Sequence, residues 1–269
     1  MIRMSLFILL FFSFAQATAA EQSPTLDVID VGEGDAILIG EKTQGWALID
    51  SGNLISGFRV VDYMKTRGID SLTHLITTHP HPDHIGGVFP VLHNFRVENL
   101  YDNGEKLRAT PDNDFYRRYV ELFRRREGYR ALKEGDILIL GDIRLRILSP
   151  KSSDEFEDWN SNSLVIMLEH KSFRALLVGD ANRETERALL SRHKNLKAQV
   201  LKIGHHGADD ASSEEFLKAV GPKLAILSVG KEQLAQEKPS KALLSRLKKL
   251  DIKVLRTDIR GDIRVDLDD

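Results

Sequence analysis

The sequence predicts a layered α/β sandwich forming one domain. Three observations predict it: short apolar strands come in runs, helical segments alternate with strands in the last third, and no repeat period, low-complexity linker or clear break divides the chain. At 269 residues, 42% hydrophobic and 29% charged, the composition is that of a globular protein able to bury a large core. The formal net charge of -2 gives no global attraction for a polyanion, so nucleic-acid binding would need a local basic patch.

The first twenty residues, "MIRMSLFILLFFSFAQATAA", read as a secretory signal peptide. Arg3 lies in a short basic region, an apolar run follows from about Leu6 to Phe14, and small residues precede Glu21. Cleavage is expected after Ala19 or Ala20, leaving a domain over residues 21–269 in a secreted or periplasmic protein; an uncleaved anchor is the alternative. No other segment approaches the ~20 apolar residues of a spanning helix, so no stable membrane insertion is expected after cleavage.

Beyond the leader, alternating apolar residues in "TLDVIDV", "DAILIG" and "WALID" predict three short strands. "FRVVDYMKTRG" has helical spacing and a terminal glycine, and "THLITTH" is a short strand running into a histidine-rich loop. "DNDFYRRYVELFRRREG" is expected to be an amphipathic helix, "DILILGDIRLRILSP" a hairpin turning at Gly141 and Asp142, and "KSSDEFEDWNSN" a polar loop. "SLVIMLEHKSFRALLVGD" is a second hairpin, apolar enough for burial on both faces. The last third then alternates: "NRETERALLSRH" helix, "AQVLKIGHHG" strand into loop, "SSEEFLKAVG" helix, "LAILSVG" strand, "PSKALLSRLKKL" helix, and strands in "KVLRTD" and "DIRVDLDD".

The chain contains no cysteine, so disulfides are excluded and any metal must be held by nitrogen and oxygen, a set that suits zinc, manganese or iron. In "THPHPDHIGG", His79, His81, Asp83 and His84 fall within six residues after a buried strand. His79 and His81, two apart in an extended loop, can project to one side. Pro82 bends the path before Asp83 and His84, and Gly86 and Gly87 permit close backbone approach. A histidine-rich surface loop is the bland alternative. Asp180 ends the strand "ALLVGD", where it could bridge cations or cap the helix that follows. His205 and His206 end a further strand beside a glycine. Three ligand-bearing strand ends in one chain point to a shared site.

Together these motifs resemble the metallo-β-lactamase superfamily, in the branch found at the carboxyl end of ComEC-type competence proteins and in free-standing secreted relatives. The matching text is "DVGEGDA", "LIDSG", "THPHPDHIGG", "NSLVIML" with "LLVGD", "LKIGHHG" with "SS", "ILSVG" and "RTDIRGDIRV", spread over nearly the whole chain after the leader. The resemblance implies a four-layer αββα sandwich and two divalent metal ions, zinc first with manganese as the alternative. It implies that His79 and His81 hold one metal, that Asp83 and His84 hold the other, and that Asp180 bridges them. One of His205 and His206 completes the second site while its neighbour faces substrate. Asp83 and His206 are the expected catalytic groups. Asp30, Asp35 and Asp50 are expected to support the ligands from behind.

Two departures stand out. Many members supply another histidine between the first loop and the bridging aspartate; here that interval holds only His93 and His170, neither at a glycine-flanked strand end. Relatives often carry Tyr-Gly-His-Pro after "SVG", whereas this chain reads "SVGKEQLAQEKPS", so Lys238 stands at the histidine position and is the candidate substrate-binding residue. The expected reaction is hydrolysis of a phosphate ester, with DNA as one such substrate. Arg117, Arg118, Arg124, Arg125, Arg126 and Arg130 gather near one expected helix and could track a phosphate backbone, or could form a solvated face. A lactam, lactone or thioester hydrolase and a non-catalytic metal-binding or partner-docking protein are the alternatives.

Overall fold

The computed structural model describes residues 23–106, 114–152, 156–231 and 237–268. The leader expected over residues 1–20 lies outside the described residues, as does most of the segment between Gly230 and Lys238. Two seven-stranded mixed sheets pack face to face. The first contains β1 (Thr25–Val28), β2 (Ile37–Glu41), β3 (Gly45–Ile49), β4 (Ser71–Ile76), β5 (Arg96–Asp102) and β6 (Tyr129–Ala131) in chain order, with β14 (Ile263–Asp266) outside β1. The second contains β7 (Ile137–Leu140), β8 (Ile143–Ser149), β9 (Val165–His170), β10 (Phe173–Leu177), β11 (Val200–Lys202), β12 (Leu224–Leu227) and β13 (Lys253–Arg256), also in chain order.

The side-chain period of two explains why both sheets are apolar on both faces. Ile37 and Ile39 face the core between the sheets while Leu38 faces outward, and Leu164, Ile166 and Leu168 face inward while Val165 and Met167 face outward. Helices cover the two outer faces. Residues of α1 (Ser56–Thr66), α3 (Val88–Asn94) and α4 (Asp114–Tyr119) pack on the first sheet. Residues of α5 (Arg183–Arg192), α6 (Glu214–Val220) and α7 (Lys241–Lys249) pack on the second. The result is the four-layer αββα sandwich.

Two one-turn helices complete the elements, α2 (Pro82–Ile85) and α8 (Thr257–Arg260). The expected helix of "DNDFYRRYVELFRRREG" is α only over Asp114–Tyr119 and widens to a π turn over Val120–Arg124. Strand β5 was not legible in "FRVENLYDN", because its first four residues alternate between exposed and half-buried and carry three polar side chains. Pairing parallel to β4 decides its state.

The parallel run β3 to β6 and the parallel run β10 to β13 bring several strand ends to one rim. From that rim emerge Asp50 after β3, the His79–His84 turn after β4, Asp180 after β10, and His205 and His206 after β11.

Candidate metal centre

The His79–His84 turn is held from below by backbone and carboxylate. Thr78 donates twice to Asp50, from its amide to Oδ1 and from Oγ1 to Oδ2, each at 2.7 Å. His81 lies at the amino end of α2 and Pro82 occupies its first turn, where the missing amide hydrogen costs nothing. The chain then passes so close to its neighbours that side chains are excluded: a Cβ on Gly87 would stand 1.9 Å from the Ser51 carbonyl oxygen, and one on Gly34 1.9 Å from that of Asp83.

Three imidazoles are oriented by one nitrogen and present the other to the interior. His84 Nδ1 donates to Asp50 Oδ2 at 2.8 Å, His206 Nδ1 to the Ser228 carbonyl at 3.1 Å, and His79 Nδ1 to Thr78 Oγ1 at 3.1 Å. Their Nε2 atoms converge on Asp180 Oδ2, at 3.4 Å from His84, 3.4 Å from His206 and 3.8 Å from His79. Asp83 Oδ2 lies 3.3 Å from His206 Nε2 and 3.7 Å from His84 Nε2. His81 stands at the edge, its Nδ1 3.0 Å from His79 Nε2 and its ring against Trp159 at 5.5 Å.

His84 Nε2, His206 Nε2 and Asp180 Oδ1 are buried without a hydrogen-bond partner. Leaving such groups unsatisfied is costly, and a divalent cation accepting their lone pairs removes the cost. Two overlapping sets, His79 with His84 and Asp180, and Asp83 with His84 and His206, each offer ligand atoms within 4.8 Å of one another. The donors are nitrogen and carboxylate oxygen, and each of the three inward imidazoles is already fixed by an outer partner, as metal-binding histidines are. The residues therefore fit a divalent metal pair.

The metal-free electrostatics describe the same design. Burial opposes charge on His206, yet Asp180, Asp83 and Asp35 outweigh it and push its pKa up to about 9. His84 is raised well above its ordinary value, burial being overcome by Asp180, Asp50 and Asp83. Asp180 moves the other way, held well below the carboxylate range by His206 and His84 despite its burial. Without a cation, protons on His84 and His206 offset the carboxylates, whereas burial holds His79 well below its ordinary value.

The remaining expected residues separate. His205 is not among the converging groups: it and His206 both have left-handed backbone, at φ 46° and 52°, so the two rings diverge. His205 Nδ1 donates to Asp210 at 2.9 Å, and its Nε2 lies 3.5 Å from Asn160 Nδ2. Lys238 is half-buried and close enough to Asp210 to help lower that carboxyl's pKa, behind the larger effect of the His205 hydrogen bond. Asp50 and Asp35 stand behind His84 and His206, Asp35 Oδ1 being 3.7 Å from His206 Nδ1. Asp30 is not brought to the centre: its carboxylate takes the Gly32 amide in its own turn. Asp180 does not cap α5 either, because Asn182 does, accepting from the Glu184 amide. His93 is exposed on α3, and His170 bonds to Asp268.

Reasoning from sequence missed Lys202, Ser228, Asp210, Asn160 and Trp159. Only Lys202 left a sign, as the one charged residue in the apolar strand "VLK". The arginine cluster is also corrected. Arg124 is an internal strut, bonded to Asp102, which also receives the hydroxyls of Tyr119 and Tyr129. Tyr119 in turn meets Thr77 at 2.7 Å, immediately before the metal-site turn. Arg117 and Arg130 pair on the surface with Asp114 and Asp136, and Arg118, Arg125 and Arg126 are exposed as well.

Residues 29–231 match the family model described as the metallo-beta-lactamase superfamily. The chain belongs to that superfamily. Members of the superfamily share a hydrolase fold and bind divalent metals, usually two, and the His/Asp cluster could hold them here. Over 258 residues this superfamily member is 33% identical to ComE operon protein 3 of Bacillus subtilis, covering 89% of this chain and 32% of that one. Over 259 residues it is 28% identical to competence protein ComA of Neisseria gonorrhoeae, covering 96% and 34%. These homologues agree with the ComEC-type branch, although the chain spans only about a third of their length. Among solved structures, the metallo-beta-lactamase fold protein YhfI of Bacillus subtilis aligns with TM-score 0.59 at 12% identity, covering 91% of this chain and 99% of that one. Zinc-bound PqqB of Methylobacterium extorquens aligns with TM-score 0.58 at 9% identity, covering 90% and 100%. Both likenesses are of fold.

Proposed function

We propose that this superfamily member is a secreted or periplasmic two-metal phosphodiesterase acting on DNA or another phosphate ester. The observation that carries the reading is the convergence of three buried imidazoles and two aspartates at one rim of the sandwich, with His84 Nε2, His206 Nε2 and Asp180 Oδ1 unsatisfied. The likeness to competence protein ComA favours a nucleic-acid ester as the substrate.

In this reading His79 and His81 would hold one cation and Asp83, His84 and His206 the other, with Asp180 available to both, zinc expected and manganese the alternative. Bound cations would supply an activated water and stabilise negative charge developing on a phosphoryl oxygen. Asp83, whose side chain is 25% exposed, has access to solvent and orients the attacking water. Asp50 and Ser228 keep the Nε2 atoms of His84 and His206 turned inward. His205, fixed by Asp210, is the neighbour that faces substrate, and Lys238 beside them offers a positive charge to an anionic ester. Exposed Arg118, Arg125 and Arg126 remain as candidate backbone contacts; Arg124 does not.

Among the described residues no helix is long and apolar enough to cross a membrane. Cleavage after Ala19 or Ala20, without lasting membrane insertion, belongs to the same proposal and is checked by the amino-terminal sequence of the exported protein. The activity is tested by loading protein beginning at Glu21 with zinc or manganese and offering bis(p-nitrophenyl) phosphate, single-stranded DNA and a chromogenic lactam in parallel. Turnover of the two phosphodiesters is expected, and turnover of the lactam alone overturns the reading.

A further inference from the structure

Lys202 is the last residue of β11, three positions before the His205–His206 turn, and it is fully buried. Its Nζ lies 2.8 Å from Asp35 Oδ1 and donates to the Ile203 carbonyl at 2.9 Å. Asp35 belongs to the other sheet, just before β2, and is 1% exposed. The pair therefore joins the two sheets directly behind His206.

Burying a lysine and an aspartate is expensive, and an apolar pair of similar volume often packs at least as well. Packing alone does not explain this one. Asp35, Asp50 and His84 offer atoms within 4.8 Å of one another, so the carboxylates backing the two imidazoles stand side by side and repel. Lys202 is the fixed cation beside them. Asp35 Oδ2 has no hydrogen-bond partner, so Asp35 is held by charge rather than by a full bonding set. The turn above is under strain, because two successive non-glycine residues in left-handed backbone persist only when their surroundings over-determine them.

We propose that the Lys202–Asp35 ion pair is the positioning element for His206, clamping the strained turn so that Nε2 meets Asp83 and Asp180, and thereby setting affinity for the second cation. The inference rests on the metal-centre reading above. Lys202 touches neither cation nor substrate; it acts through Asp35 and the turn.

Metal-free wild-type, Lys202→Met and the doubly neutral Lys202→Met/Asp35→Asn protein are titrated with cobalt(II), following bound equivalents and the visible absorption of the bound ion, with thermal unfolding alongside. Wild type takes up two equivalents. Lys202→Met is expected to weaken one of them roughly 10- to 100-fold, the usual cost of disturbing an outer contact of a metal ligand, and to leave the other unchanged. The double variant removes the unpaired buried charge, so it folds even if the single variant does not, and is expected to keep the weakened equivalent and an altered spectrum. A double variant that folds and binds both equivalents as wild type does overturns the positioning role and reduces the pair to a structural one. Wild type that takes up no cobalt instead overturns the metal-centre reading itself.

Discussion

The two histidine turns of this protein look alike on paper and behave differently in space. In the first, an extended stretch followed by the opening of α2 sends His79 and His84 inward and leaves His81 at their edge. In the second, the adjacent histidines are themselves both left-handed, and one joins Asp83 and Asp180 while the other turns to Asp210. Spacing along the chain predicts convergence where the backbone is extended, because side-chain direction then follows residue number. It fails where two neighbours are both left-handed, because their side chains then part.

The largest effect is expected at Asp180, where His84 of the first turn and His206 of the second both meet. Asp180→Ala should cost both cations and activity together, beyond the roughly 100-fold effect of an outer contact; full metal occupancy by elemental analysis would remove the bridging role. Next, His206→Ala should lose one equivalent of metal, whereas His205→Ala should keep both. Equal losses would mean that the left-handed turn does not sort them. In the first turn, Gly87→Ala forces a Cβ against the Ser51 carbonyl and should destabilise by about 1–3 kcal/mol in denaturant unfolding.

The smallest effect is in pH. His206 stands at about 9, above its ordinary 6.5. The metal-free protein therefore has the stabilisation from this proton in full below about pH 6.5 and loses it as pH rises through about 9. Over the same window cation affinity should rise, because binding must displace the proton. Calorimetric titrations in buffers of different ionisation enthalpy should show more proton release at pH 7.5 than at pH 10. The opposite order would place His206 outside the binding set.

Much of the molecule was legible beforehand. The strands of both sheets with period-two apolar faces, the hairpin at Gly141–Asp142 and the helices α5, α6 and α7 follow from local apolar pattern, and the structure adds side-chain caps at Asn182, Ser213 and Ser240. Strand β5 did not, because half of it is polar and its pairing partner supplies what its own sequence lacks. The arginine cluster misled for a related reason: charge is visible in sequence, but whether a guanidinium faces water or a buried carboxylate such as Asp102 depends on a strand 22 residues away.

By itself the sequence determined the ligand chemistry: no cysteine, a dense His/Asp turn after an apolar strand, and two further strand ends bearing Asp180 and the His205–His206 pair. Those are properties of residue type and local period. Tertiary structure decided which histidine of the pair turns inward, that Asp35 and Asp50 rather than Asp30 stand behind the ligands, and that a lysine is buried beneath them. Each of those depends on the distance between groups on different sheets, which only the packed sandwich sets.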